Sequence, residues 1–237
     1  MVKWEQVNKP AQAARAALSY ERIAAAGIEI ADAEGLEAVT MRKVAGQLGA
    51  GVMSLYRYVD GRADLVNLMA DHVAAEALPP PRSGDWRTDL AEIARTSRRV
   101  TLRHPWLSGH APVMDDFGPN TLAMSESTLA LIDGYGLDIS QMIDMWQTVQ
   151  AFVQGHVLSE TARRQVQDRS GPSAEQPHQH LSPYLREAMA SGEFPLLSKA
   201  VKDAEDLSDA DREFERRLGY LLDGLARTFF QHRAAAT

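Results

Sequence analysis

The sequence predicts an all-α protein in two domains, on three observations. Apolar residues recur at steps of three and four in successive segments, and no segment alternates with period two over a useful length. Pro79-Pro80-Pro81 then interrupts the chain with three residues that lack backbone donors. The first domain is placed at residues 1–78 and the second at 82–237.

Each element follows from local signals. Residues 1–18, polar and Ala-rich, form an arm carrying Lys3, Lys9 and Arg15. Ser19 caps a helix in which Ile23, Gly27, Ile30 and Ala31 share a face, until Gly35 ends it. Thr40 opens a second, short helix with Met41, Val44, Ala45 and Leu48 on one side, and Gly49-Ala50-Gly51 supplies a tight turn. Residues 52–58 allow about two helical turns. After Asp60-Gly61 a longer helix carries Leu65, Leu68, Met69, His72 and Val73 toward Leu78. Beyond the prolines, helices are expected over Trp86–Leu102, Thr121–Asp133, Ser140 to about Arg164, Leu181–Met189, and from a Ser208 cap through Phe229. Residues 104–112 are a broken segment and 165–183 a loose loop. The apolar set on the helix from Ser140 is too broad for one stripe and implies contacts on two sides.

Composition narrows the function. With 45% hydrophobic and 24% charged residues the chain is an ordinary globular one, and no apolar stretch reaches the ~18 residues of a membrane span. The N-terminus lacks the apolar run of a secretory signal, so a cytoplasmic location and no membrane partner are expected. The absence of cysteine excludes disulfides, thiolate nucleophiles and Cys-based zinc sites. His104 with His110 and His178 with His180 are poor ligand pairs, and no HExxH, GxSxG, Walker or GxGxxG motif occurs, so no metal, no cofactor and no enzymatic activity are assigned. Asp115-Asp116 is read as a helix cap rather than a catalytic pair.

The net charge of −7 hides an asymmetry. The first 62 residues hold eight basic and seven acidic side chains, leaving −8 for the rest, and within Thr40–Arg62 four basic residues face the single Asp60. A nucleic-acid surface is therefore local and N-terminal, and the remainder repels phosphate. Two short helices around a glycine turn suit a helix-turn-helix that lays its second helix in the major groove. Thr40 at a helix start can offer its hydroxyl and free amides to a phosphate, and Arg42 can reach a guanine edge as a bidentate fork. Ser54 is small enough to touch a base edge, and Tyr58 suits the phosphate backbone. Tyr56 either packs the motif's core or reaches phosphate. Arg57 and Arg62 add sequence-independent charge. Thr40 as a simple cap, Arg42 with Lys43 as a solvated face, and the arm as a plain tail are the competing readings.

From Ser19 to about Val73 the chain resembles the DNA-binding domain of the TetR family of bacterial repressors. The carriers are Gly35-Leu36, Thr40-Met41-Arg42, Val44-Ala45, Leu48-Gly49, Ser54-Leu55-Tyr56, Tyr58-Val59, Arg62 and Asp64-Leu65, in order and spacing. The resemblance implies that Thr40, Arg42, Gly51, Val52, Met53, Ser54, Tyr56, Tyr58 and Arg62 form the operator-facing set. Gly51 at the start of the recognition helix departs from the family's pattern and lowers helix propensity by ~1 kcal/mol.

Later segments are similar to the tetracycline-repressor type of C-terminal domain: His104-Pro105-Trp106, Gly118-Pro119-Asn120, Gly136-Leu137 and Gly155-His156-Val157-Leu158. This similarity implies a homodimer through helices near 140–164 and 209–230, where Gly219 and Gly224 let backbones approach. Two recognition helices ~34–36 Å apart then read a palindromic double-stranded operator. Trp106, His110, Met114 and Phe117 in the broken segment, with Trp146, Gln150, Val153 and His156 on the long helix, are the candidates for a largely apolar effector pocket. Effector binding would tilt the helix of residues 61–78 as a lever and release DNA. A helical enzyme or a protein-interaction adaptor without DNA binding is the alternative.

Overall fold

The computed structural model describes Val2, Trp4 and residues 18–109, 117–170, 182–203 and 209–230. No strand occurs among them. They pack as two compact units, residues 1–157 and 158–237. The packing break thus lies inside a helix and not at the proline run, because elements on both sides of Pro79–Pro81 share one body.

In the first unit, α1 spans Tyr20–Glu34, and the Ser19 hydroxyl oxygen accepts from the Arg22 amide at its start. Ile23, Ala24, Ile30 and Ala31 are buried on one face, and Gly35 leaves the helix at φ 86°. A 3-10 turn, Leu36–Ala38, leads to α2 (Met41–Gln47), α3 (Val52–Leu55) and α4 (Arg62–Ala74). The α1–α4 crossing needs Gly27, since a Cβ there would stand 2.6 Å from Met69 Sδ. Helix α4 closes in a 3-10 turn, Ala75–Ala77, short of the expected end at Leu78. The core of these elements is built on Ile23, Leu55, Leu65 and Met69, all essentially inaccessible.

After the prolines, α5 spans Trp86–Arg103 behind an Asp85 cap, and a third 3-10 segment covers Pro105–Gly109. Helix α6 spans Pro119–Ile132 and packs on both α4 and α5. Arg82 pins the post-proline strand of chain to the next turn, donating to the Asp133 carbonyl at 2.6 Å while its guanidinium lies over Tyr135.

Helix α7 spans Ile139–Ser170, so the segment expected as a loop from residue 165 is helical for its first six positions. Its breadth of apolar surface has a structural explanation. Met142, Met145, Val149, Val153 and Val157 are buried, while Trp146 and Gln150 on the adjacent flank are half-buried.

The second unit holds the end of α7, then α8 (Pro183–Ala190), α9 (Pro195–Asp203) and α10 (Ala210–Phe229). Helix α9 was not expected from the sequence; PLLSKAVKD is too short to establish a period. It packs on α8, with the Ser198 hydroxyl donating to the Met189 carbonyl. No residue of α8 is buried. The cap of α10 is Asp209, which accepts from the Asp211 and Arg212 amides, where Ser208 had been expected. Phe214, Leu218, Leu222 and Leu225 form its buried stripe. Glu213 is also buried, accepting from Arg163 at 2.7 Å and from Arg217.

Candidate DNA interface and effector cavity

The helix-turn-helix is made by backbone chemistry at the turn. Leu48 N–H bonds Val44 O, Gly49 adopts φ 63°, and Ala50 N–H reaches back to Ala45 O at 2.9 Å, which satisfies the last carbonyls of α2. Gly51 then caps α3 in extended backbone, and a Cβ there would meet Ser54 Oγ at 3.9 Å in ordinary contact, so neither φ nor crowding demands glycine. Leu55 anchors α3 by full burial.

One face results. Thr40 is exposed, and its Oγ1 accepts from the Lys43 amide at 3.2 Å, so it is an N-cap whose hydroxyl proton stays available to a phosphate. Arg42 and Arg57 are exposed. Met53 is 77% and Tyr56 44% exposed, which removes Tyr56 from the motif's core. Gly51 is exposed and Ser54 half-exposed beside them. Lys43 is drawn instead to Glu34.

Three members of the expected set do other work. Tyr58 donates its hydroxyl to Leu18 O at 3.0 Å and stacks edge-on to Tyr20, so it closes the core and is corrected from a phosphate contact to a brace. Arg62 donates from Nε to Val39 O at 3.1 Å and from Nη2 to Leu36 O at 2.9 Å. Its guanidinium clamps the start of α4 to the segment just before Thr40, which corrects its reading as free backbone charge. Val52 packs against the core. None of these partners lies within local sequence range of the charge pattern that suggested them.

The second site is a cavity of about 500 Å³ within the first unit. Its walls are Ala70, Val73, Ala74 and Ala77 from α4 and the turn after it, Ser97, Val100 and Thr101 from α5, and Phe117, Thr121, Met124 and Ser125 around α6. Leu107 and Ser108 from the third 3-10 segment and Trp146, Gln147, Gln150 and Gln154 from α7 complete it. Gln150 donates to Ser97 Oγ at 3.2 Å, tying α7 to α5 across the space. Among the described residues, the indole Nε1 of Trp146 and the hydroxyl of Ser125 are buried without a hydrogen-bond partner.

Of the eight expected effector residues, Phe117, Trp146 and Gln150 line this cavity. His110 and Met114 lie outside the described residues, as does Asp115-Asp116. Trp106, Val153 and His156 are corrected. Trp106 is buried in the core of the first four helices and donates to Asp32 at 2.8 Å; Val153 is core; His156 is buried and stacks near Phe152. Missed altogether were the small residues of α4 and the hydroxyl pairs Ser97/Thr101 and Thr121/Ser125. Alanines and hydroxyls at four-residue spacing on otherwise apolar helix faces are a sequence-level signal that space has been left there.

Two polar knots hold this unit. Asp71, buried on α4, accepts from the Thr121 amide at 2.8 Å, the Thr121 hydroxyl at 2.9 Å and Asn120 Nδ2 at 3.1 Å, and so caps α6 from another helix. The approach is so close that a Cβ on Gly118 would lie 2.4 Å from the Asp71 carboxylate. His104 binds Asp32 through Nδ1 at 2.9 Å, and its Nε2 lies 3.5 Å from Glu76 Oε1. Among the described residues no group of three or more metal-ligating side chains converges, and no helix is long and apolar enough to cross a membrane.

A compact helix-turn-helix with exposed cations, joined to an all-helical body containing an aromatic-walled cavity, defines a class: ligand-responsive DNA-binding regulators. Comparison with known proteins places the chain within that class. Residues 78–229 match the family model described as "Tetracyclin repressor-like, C-terminal domain". The HTH-type transcriptional repressor DrrR1 of Streptomyces coeruleorubidus is 33% identical over 97% of this chain and 85% of its own length. Tetracycline repressor protein class A from transposon 1721 of Escherichia coli is 27% identical over 85% of this chain and 88% of its own. The solved structure of the Streptomyces coelicolor TetR family protein ActR in complex with actinorhodin superposes with a TM-score of 0.70 at 32% identity, covering 90% of this chain and 97% of that one. The chain belongs to the TetR family of transcriptional regulators.

Proposed function

We propose that this protein is a repressor that binds a palindromic operator as a homodimer and leaves it when a small, largely apolar effector fills the cavity. Residues 1–78 serve as the DNA-binding part and 82–237 as the ligand-binding and dimerisation part. Thr40, Arg42, Gly51, Met53, Ser54 and Tyr56 meet DNA, Arg57 adds phosphate contact, and Val52, Tyr58 and Arg62 hold that face in shape. Phe117, Trp146 and Gln150 contact the effector.

One observation carries the reading: α4 is fastened at both ends to the two sites. Arg62 ties its start to the carbonyls just before the DNA-facing helix pair, and Asp71 ties its second half to the first turn of α6, whose Thr121 and Ser125 line the cavity. Ala70 and Ala74 of the same helix form part of the cavity wall. A ligand that displaces α6 therefore acts on α4 through a charge-assisted cap as well as through packing. The similar protein ActR, solved in complex with actinorhodin, supports effector binding in such a body.

Pairing of two chains is supported by the second unit. Leu158 is 64% and Tyr220 67% exposed, and Cβ atoms built on Gly219 and Gly224 would meet no described atom within 4 Å, so α10 presents Tyr220 beside two positions of close approach that the described residues leave uncovered.

The test begins with duplexes selected from a randomised pool. Selected sites are expected to be inverted repeats, with binding that falls with salt at a slope of about −0.9 per phosphate contacted. A compound that raises the melting temperature of the full chain should lower its affinity for the selected duplex. With Asp71→Asn the compound should still bind and the DNA should be retained. Unaltered release in that variant would break the proposed linkage.

A further inference from the structure

We infer that the start of the chain is a strap across the joint between α4 and α6, with Val2 as its anchor and Trp4 as a positioning residue that keeps water off the Asp71 carboxylate. Its bearing on DNA release rests on the reading of that joint as the linkage between the two sites; the sealing of the joint stands apart from it.

The cap of α6 is built differently from those of α1, α2, α5 and α10. Ser19, Thr40, Asp85 and Asp209 each stand at the N-cap of their own helix and accept from its first amides at the surface. Gly118, at the N-cap of α6, has no side chain with which to do so. The Thr121 amide is too near the helix start for an intrahelical partner and depends on Asp71 of α4, at 2.8 Å. Asp71 is 3% exposed. A low local dielectric strengthens the bonds that its carboxylate accepts, so whatever excludes water there stiffens the joint.

Part of that exclusion comes from the N-terminus. Trp4 Cζ3 stands 2.6 Å from the point where a Gly118 Cβ would be, and the Asp71 carboxyl crowds the same point. Backbone conformation does not demand glycine, since φ is −87°; the ring and the carboxylate do. Trp4, Gly118 and Asp71 therefore meet at one place. Val2 fixes the strap from its other end: it is 5% exposed and belongs to the buried core that holds Leu18, Ile23, Met69 and Trp106. Trp4 is half-buried against that core. A segment serving only as a charged arm on DNA gains nothing by burying these two side chains, whereas a strap is held by them.

Amide exchange of the full-length chain, followed by NMR without DNA or effector, tests the strap. Trp4→Ala should speed exchange of the Thr121 amide by about tenfold or more, and leave the Lys43 amide, capped by Thr40 at the surface, within about twofold. Trp4→Phe keeps a ring in place and should retain most of the protection. Val2→Asp, whose charge cannot stay in the core, should reproduce Trp4→Ala. Binding to random-sequence duplex DNA should keep its salt slope in Trp4→Ala. An unchanged Thr121 rate, equal acceleration at Thr121 and Lys43, loss of protection in Trp4→Phe as great as in Trp4→Ala, or a flattened salt slope overturns the inference. None of these readouts uses an effector, so the strap holds or fails separately from the linkage, which release in Asp71→Asn decides.

Discussion

Residues 18–78 and residues 158–230 are both built from short helices, yet they place charge and oil in opposite ways. The first stretch buries Ile23, Leu55, Leu65 and Met69 completely, and its large exposed hydrophobics are Met53, Tyr56 and Leu78, two of them beside the exposed cations Arg42 and Arg57. The second leaves Leu158, Tyr184, Phe194, Leu196, Leu197 and Tyr220 at the surface while burying Glu160 and Glu213 against arginines. A region whose apolar residues are inside and whose charges are outside is complete within one chain. The second keeps a buried stripe, Phe214, Leu218, Leu222 and Leu225, yet its exposed apolar residues leave surface to cover, and a second copy is the proposed cover.

Core truncation separates the two most strongly. Leu65→Ala should lower stability by about 2–5 kcal/mol and weaken DNA binding, because Leu65 is fully buried in the core beneath the helix-turn-helix. Leu196→Ala should change chain stability by no more than ~0.5 kcal/mol, since its side chain is 81% exposed. Equal losses would show that the Leu196 side chain is held as firmly as a buried one.

Between the two lies the Asp71 cap. Gly118→Ala should cost about 1–3 kcal/mol, read as a lowered Tm, because the added Cβ drives into the Asp71 carboxylate and loosens the first turn of α6. A neutral effect would mean that α6 can slide away from α4 freely, which would weaken the coupling argument as well.

On the DNA face the effects divide by contact type. Arg42→Ala should lose about 1–3 kcal/mol for the selected duplex and relax its base preference, measured by competition against mismatched duplexes. Arg57→Ala should weaken all duplexes alike and flatten the salt slope by about 0.9. Tyr58→Phe should act on stability through the lost Leu18 bond and leave the salt slope unchanged.

The smallest effect is acid-dependent and belongs to α5. Asp85 accepts from the Thr88 hydroxyl at 2.6 Å and from the Thr88 and Arg87 amides, and the Thr88 hydroxyl above all holds its carboxyl below the ordinary 3.8. A lowered pKa means stability that is present above 3.8 and fades as pH falls through the folded value. Asp85→Ala should therefore cost about 0.5–2 kcal/mol at neutral pH and progressively less in acid. A constant difference across that range would assign the loss to packing instead.

Local features were legible in the sequence. The Ser19 and Thr40 caps, the Gly35 stop and the Gly49 turn depend on residues within four positions, and the structure has all of them. Features made by distant chain were not. Nothing near Trp106 announces that Asp32, 74 residues earlier, accepts its indole proton, and Arg62 carries no local mark of Leu36 O and Val39 O. Charge patterning therefore marked an exposed face and also drew in Arg62, which is tied elsewhere. The cavity was half visible: Trp146 and Gln150 stood out as large or polar residues on an apolar helix, while the alanines that create the space drew no notice because absence of volume has no chemistry of its own.

The central claim is that the exposed face of α10 completes a dimer which alone fits the operator. Sedimentation of the full chain on a duplex selected from the randomised pool tests it most directly. Two chains per duplex are predicted, falling to weak or single occupancy with Tyr220→Glu at unchanged helicity. One wild-type chain per duplex at saturation, bound as tightly as the glutamate variant, would contradict the account.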